Sequence, residues 1–149
     1  MTTSMTALLR LAVSLWLGGV GIFTFFLTPL IFAHENRDAA GRIVGYLFPG
    51  YFRWGLGCGA VALITLVVLG RRQAHLRTVV AFVVLMTAIT AFQAWHLEPR
   101  IVALKREIPS FVTTPKEHPL RRQFAKLHGI SAACNLAVFA GGVALVVLL

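Results

Sequence analysis

Apolar residues fill four long runs of this chain, at about residues 11–33, 52–70, 78–97 and 128–149, and the polar residues collect between them. Each run comes near the ~20 residues that a helix needs to cross the hydrocarbon of a bilayer. The pattern predicts an all-α membrane protein, with a single domain over 1–149 built as an antiparallel four-transmembrane-helix bundle.

Within the first run, Ser14, Gly18, Gly21, Phe25, Thr28 and Phe32 fall on one heptad-like stripe that leads to Glu35. Small residues allow close approach of a neighbouring helix, so this stripe is the expected bundle face. Pro29 cannot donate a backbone hydrogen bond and should kink the end of the span. From His34 to Tyr51 charges give way to Tyr46, Phe48, Pro49 and Tyr51. Aromatic residues beside Arg53 suit the headgroup layer, so an interfacial segment after span one is expected there. Gly55 and Gly59 form a GxxxG pair, a pattern common among helices that merely pack tightly. Pro99 disfavours helix at Glu98, which predicts a break at the end of span three and a short extramembrane helix to about Ile108. The loop that follows, up to Arg122, is rich in proline and charge, and the chain shows no internal repeat.

Composition agrees with the pattern. With 58% hydrophobic and 13% charged residues, the chain leaves no room for a soluble domain. The first run is too long for the apolar core of a signal peptide and reads as a retained span. The formal charge of +9 would point to nucleic acid in a soluble protein. Here the cations stand at membrane boundaries, where they set topology and meet lipid headgroups, and nucleic-acid binding is excluded as a reading. Arg10, Arg71, Arg72 and Arg77 make four cations on one side, against ten on the other from Arg37 to Lys126. The positive-inside rule then puts loops one and three in the cytoplasm and both termini outside. Integral insertion in a bacterial inner membrane is the expected localisation. Cys58 and Cys134 both fall inside spans, where neither a disulfide framework nor a zinc ribbon is sensible.

Four antiparallel spans bring the end of span one, the start of two, the end of three and the start of four to one side. His34, Glu35, Arg53, His96, Glu98, Arg100 and His128 share that level, with Gln93, Ser131 and Asn135 one to two turns deeper. His128, Ser131 and Asn135 lie at i, i+3 and i+7, as do Gln93, His96 and Arg100. A polar stripe entering a span must face protein or water, because an unpaired polar group in hydrocarbon costs several kcal/mol. A one-sided polar pocket made of these ten residues is the expectation. Its simplest role is structural: histidines capping carbonyls, an ion-pair network among Glu35, Glu98, Arg53 and Arg100, and Asn135 and Gln93 as interhelical hydrogen-bond glue.

Three imidazoles at one level, His34, His96 and His128, with Cys58, Cys134 and Met86 deeper, would suit copper or zinc. Haem b or a quinone held between spans is a further reading, with two histidines as axial ligands. No catalytic template is present: the chain lacks HExxH, GxSxG and a P-loop, and Ser131 beside His128 has no oriented base or oxyanion site. A non-catalytic accessory subunit of a larger membrane complex, or a homodimer, would also explain glycine-rich faces and short termini.

The motifs LFPGYF (Leu47 to Phe52), WHLEPR (Trp95 to Arg100) and FAKLHGISAACN (Phe124 to Asn135) carry a resemblance. In order and placement they resemble a domain-of-unknown-function family of small four-span membrane proteins that includes the eukaryotic protein linked to cisplatin tolerance. The chain is also distantly similar to CopD-like copper-resistance and haem-associated proteins. The resemblance implies a four-span fold and handling of metal compounds or metal resistance, without any catalytic assignment.

Overall fold

The computed structural model describes residues 2–70 and 74–149. Arg71 and Arg72, counted above for orientation, lie outside the described residues. Four helices in the described residues are long and apolar enough to cross a membrane. The chain is a multi-pass, all-helical protein, as its hydropathy pattern predicts.

Helix α1 runs Thr2–Gly21, widens into a π-helical segment over Ile22–Leu27 and resumes as Thr28–His34. Glu35 is extended and ends it. Asn36 then starts α2 (Arg37–Leu69), its side chain accepting from the amides of Asp38 and Ala39, with Asp38 in the positive first turn. Gly70, at φ 76°, ends α2 in a conformation that a side chain would resist. Helix α3 runs Ala74–Phe92, widens over Gln93–Leu97 and continues as Glu98–Glu107. Helix α4 (Pro119–Leu148) begins at His118, whose ring accepts from the Leu120 amide, with Pro119 at a position that needs no N–H.

The helices close a ring in which each packs on the next: α1 on α2, α2 on α3, α3 on α4 and α4 on α1. Trp16 is the largest side chain of the core, 1% exposed and in one buried cluster with Leu9, Val13, Val20, Val83 and Leu145. It fits because α2 offers glycine opposite it. A Cβ at Gly55 would lie 3.0 Å from Trp16 Nε1, and one at Gly59 would lie 3.1 Å from the ring and 2.6 Å from Thr87 Oγ1. The GxxxG pair is therefore the seat of the largest core side chain.

Three expectations are corrected. The buried face of α1 is Leu9, Val13, Trp16, Val20 and Phe23, whereas Ser14, Gly18, Phe25 and Phe32 are exposed. Residues 37–51 do not form a separate interfacial segment; they are helical and continuous with α2, Pro49 included. The chain does not break at Glu98 either. At both Pro29 and Pro99 the preceding turn widens to i→i+5 bonds, Thr28 N–H to the Phe23 carbonyl and Glu98 N–H to the Gln93 carbonyl. Widening of this kind carries the helix past a residue that has no N–H, so the predicted short helix is the last part of α3.

Candidate binding cleft and buried polar belt

The polar stripe of α4 finds partners on two helices. Ser131 Oγ donates to Gln93 Oε1 at 3.1 Å, and Tyr51 Oη donates to Asn135 Oδ1 at 3.0 Å. Ser131, Gln93 and Asn135 are all buried, so these bonds tie α4 to α3 and to α2 inside the bundle. Bonds of this kind are worth roughly 0.6 to 2 kcal/mol each in membranes. Beyond Thr87 and Thr65, which bond their own helix, the core is closed by Leu9, Val13, Val79, Val83 and Leu145. The polar belt ends there.

Toward the other end the belt opens into a cleft of about 200 Å³ shared by all four helices. Its walls are mostly apolar: Phe32 from α1, Val44 and Phe48 from α2, Ile101 and Val102 from α3, Phe111 from the α3–α4 loop and Phe124 from α4. Gly41 and Gly45 leave room on α2. The polar groups in it are Thr28, Arg37, Glu98, Lys105 and His128. Lys105 Nζ donates to the Gly41 carbonyl and lies in the field of Glu98. With one carboxylate against two cations, the cleft is net positive.

Thr28 is the discordant group of the cleft. Thr65, Thr87 and Thr90 each donate to the carbonyl one turn earlier, at 2.7 to 2.9 Å. Thr28 Oγ1 is buried without any hydrogen-bond partner. The widened turn ending at Leu27 displaces the carbonyl that a threonine in a regular helix would use. Thr28 and Glu98 occupy equivalent places, each following a π segment and preceding a proline, and both line the cleft.

The loop over the cleft is held from two sides. Asp38 accepts from Ser110 Oγ and the Phe111 amide, both at 2.6 Å. Arg121 donates to the Phe111 and Thr114 carbonyls at 2.8 Å and lies over the Phe111 ring at 5.1 Å. Phe111 meets Phe124 edge-on, and Phe124 stacks on His128.

Of the ten expected pocket residues, Gln93, Ser131 and Asn135 form the belt, and Glu98 and His128 line the cleft. His34, Glu35, Arg53, His96 and Arg100 are exposed and apart from it, His96 stacking on Phe92 at 5.3 Å. Glu35, Arg53, Glu98 and Arg100 make no ion pair within 4.0 Å with any described residue, so the expected network is not formed. Among the described residues no three of His, Cys, Asp and Glu gather around a point that could hold a metal ion. His34, His96 and His128 are thus not brought together, and Met86 packs against Gly141 in the core. Sequence reasoning missed Arg37, Lys105 and Asp38. A signal for Lys105 was present, since it stands at i+7 from Glu98 on the stripe that also carries Ile101.

A family model described as a domain of unknown function, DUF4149, matches residues 11–110. The chain belongs to the DUF4149 family. The matched region takes in both proline-linked π segments, LFPGYF, WHLEPR and most of the cleft wall, and stops before FAKLHGISAACN. The chain is also similar to an uncharacterised protein of Aquifex aeolicus (strain VF5), with 29% identity over 129 residues, 84% of this chain and 81% of that relative. No solved structure matches this DUF4149 chain.

Proposed function

We propose that this DUF4149 protein is a non-catalytic membrane protein that binds, at the end of its bundle, a single-chain amphiphile with an acidic head. The observation that carries the reading is the cleft itself: an apolar slot of about 200 Å³ with a net positive polar set and an unpaired buried hydroxyl, Thr28 Oγ1. An acyl chain would lie against Phe32, Phe48 and Phe124. A carboxylate or phosphate head would replace the Gly41 carbonyl as the partner of Lys105 and would accept from Thr28. Charge-assisted bonds of this kind are the strong ones, all the more so where water is sparse. We place the cleft on the cytoplasmic side of a bacterial inner membrane, where the positive-inside rule puts the ten-cation end.

The other readings gain less support. Copper or zinc handling, implied by the likeness to the cisplatin-tolerance branch and to CopD-like proteins, would need His34, His96 and His128 to converge, as would axial ligation of haem need two of them. A role as an accessory subunit rests on no feature of the described surface that selects a protein partner.

The test uses protein in phosphatidylcholine nanodiscs, titrated with a spin-labelled fatty acid and with its methyl ester. The acid should show a saturable immobilised component that the ester lacks. Lys105→Met should weaken it about tenfold, the loss expected from one charge-assisted bond. Gly45→Leu, which fills the slot, should abolish it. Equal binding of acid and ester, or unchanged binding to both variants, would refute the reading.

A further inference from the structure

Arg53 stands at the midpoint of α2, 16 residues from Arg37 and 16 from Leu69, with its side chain exposed on the outer surface. It forms no hydrogen bond or ion pair with any described residue. Three other cations of the helices do have partners: Arg10 Nε donates to the Leu149 carbonyl at 2.9 Å, Lys105 to Gly41, and Arg121 to the Phe111 and Thr114 carbonyls. Arg53 instead forms the end of an outer groove of about 400 Å³ between α1 and α2. The groove is separate from the end cleft and shares no lining residue with it. Its floor and walls are Leu11, Leu15, Gly57 and Val61, with Trp54 beside the arginine. The Trp54 indole is fixed by donation to the Leu15 carbonyl at 3.2 Å, and a Cβ at Gly57 would meet nothing within 4 Å.

We propose that this groove is a binding site for an anionic phospholipid, with the phosphate on Arg53 and one acyl chain lying over Gly57 toward Val61. Two observations select that occupant. A free guanidinium on an apolar helix face calls for an anion, and its planar fork matches phosphate oxygens in pairs. Arg53 beside Trp54 also suits the headgroup layer, a placement that would leave the apolar groove beyond them facing hydrocarbon. A second copy of the chain does not fit. The chain has five acidic residues, Glu35, Asp38, Glu98, Glu107 and Glu117, and none is on the outer groove face. A symmetric pair with the same orientation in the membrane would set one Arg53 against the other at the same depth.

Native mass spectrometry of protein from vesicles of equal phosphatidylglycerol and phosphatidylcholine tests the proposal. The wild type should retain phosphatidylglycerol in preference to phosphatidylcholine. Arg53→Gln should lower that preference about tenfold, and Gly57→Leu, which blocks the groove without a clash, should lower retention of both lipids. Arg53→Lys should keep part of the preference, since it keeps the charge and loses the fork. Soluble inorganic phosphate should not compete, because it lacks the chain. Retention unaffected by Gly57→Leu, displacement by phosphate alone, or a dimer cross-linked through cysteines placed at position 57 would overturn it. Fatty-acid binding at the end cleft should be unchanged in all three variants, so failure here is distinguishable from failure there.

Discussion

The unpaired hydroxyl of Thr28 gives a prediction whose sign is opposite to that for an ordinary buried polar residue. Thr28→Val keeps the shape of the side chain and removes only the hydroxyl. A buried polar group without a partner costs roughly 1 to 3 kcal/mol. Its removal should therefore stabilise the ligand-free protein by about 1 kcal/mol, the lower end applying because Thr28 is only half-buried. Thr90→Val is the control. Thr90 is 4% exposed and donates to the Met86 carbonyl at 2.9 Å, so the same substitution there should be neutral or destabilising by up to about 1 kcal/mol. The assay is unfolding in a mild detergent series, run with and without fatty acid. Thr28→Val should be the more stable variant without ligand and should gain less from it. A Thr28→Val protein that is less stable than wild type, yet stabilised by fatty acid to the same extent, would show that the hydroxyl has a partner and no part in binding.

Further predictions concern packing, the polar belt and the loop. Gly59→Leu would drive a side chain into Trp16 and Thr87 and should destabilise by roughly 1 to 3 kcal/mol or more, while Gly18→Ala, with nothing within 4 Å of the new Cβ, should be close to neutral in the same unfolding assay. Gln93→Leu and Ser131→Ala should each cost roughly 0.6 to 2 kcal/mol, and the double variant should cost less than their sum; strict additivity in a double-mutant cycle would contradict the bond. Asp38→Ala removes the acceptor of the Phe111 amide and of the Ser110 hydroxyl, so hydrogen exchange should rise over residues 108–118 and not in the core of α4; unchanged exchange would show that the loop's other hydrogen bonds suffice to hold it.

Much of the architecture was legible in the sequence because it depends on length and hydropathy, which a spanning helix cannot disguise. The targets of the α4 stripe were legible for a similar reason: buried polar groups in a span need partners, and chain order brought Gln93 and the LFPGYF segment to Ser131 and Asn135. Which face of each helix turns inward was not legible. In a membrane both faces are apolar, so the heptad of small residues on α1 gave no preference, and Trp16 turned inward because Gly55 and Gly59 make room across from it. The stripe of Gln93, His96 and Arg100 failed at the π segment. A widened turn holds more residues, so the place below Gln93 passes from His96 to Leu97, which is 4% exposed, and His96 and Arg100 rotate outward. That shift takes His96 away from His128 and puts Ile101 and Lys105 at the cleft. Both prolines disturb their helices through a widened turn, but the break expected at Pro99 is absent.

The most direct test of the proposed binding role is a structure of the protein with a fatty acid brominated near the end of its chain. Anomalous signal should lie in the end cleft against Phe48 and Phe124, with the carboxylate within hydrogen-bond distance of Lys105 Nζ and Thr28 Oγ1. Bromine found only on the outer surface of the bundle, with the cleft empty or holding a metal ion, would contradict it.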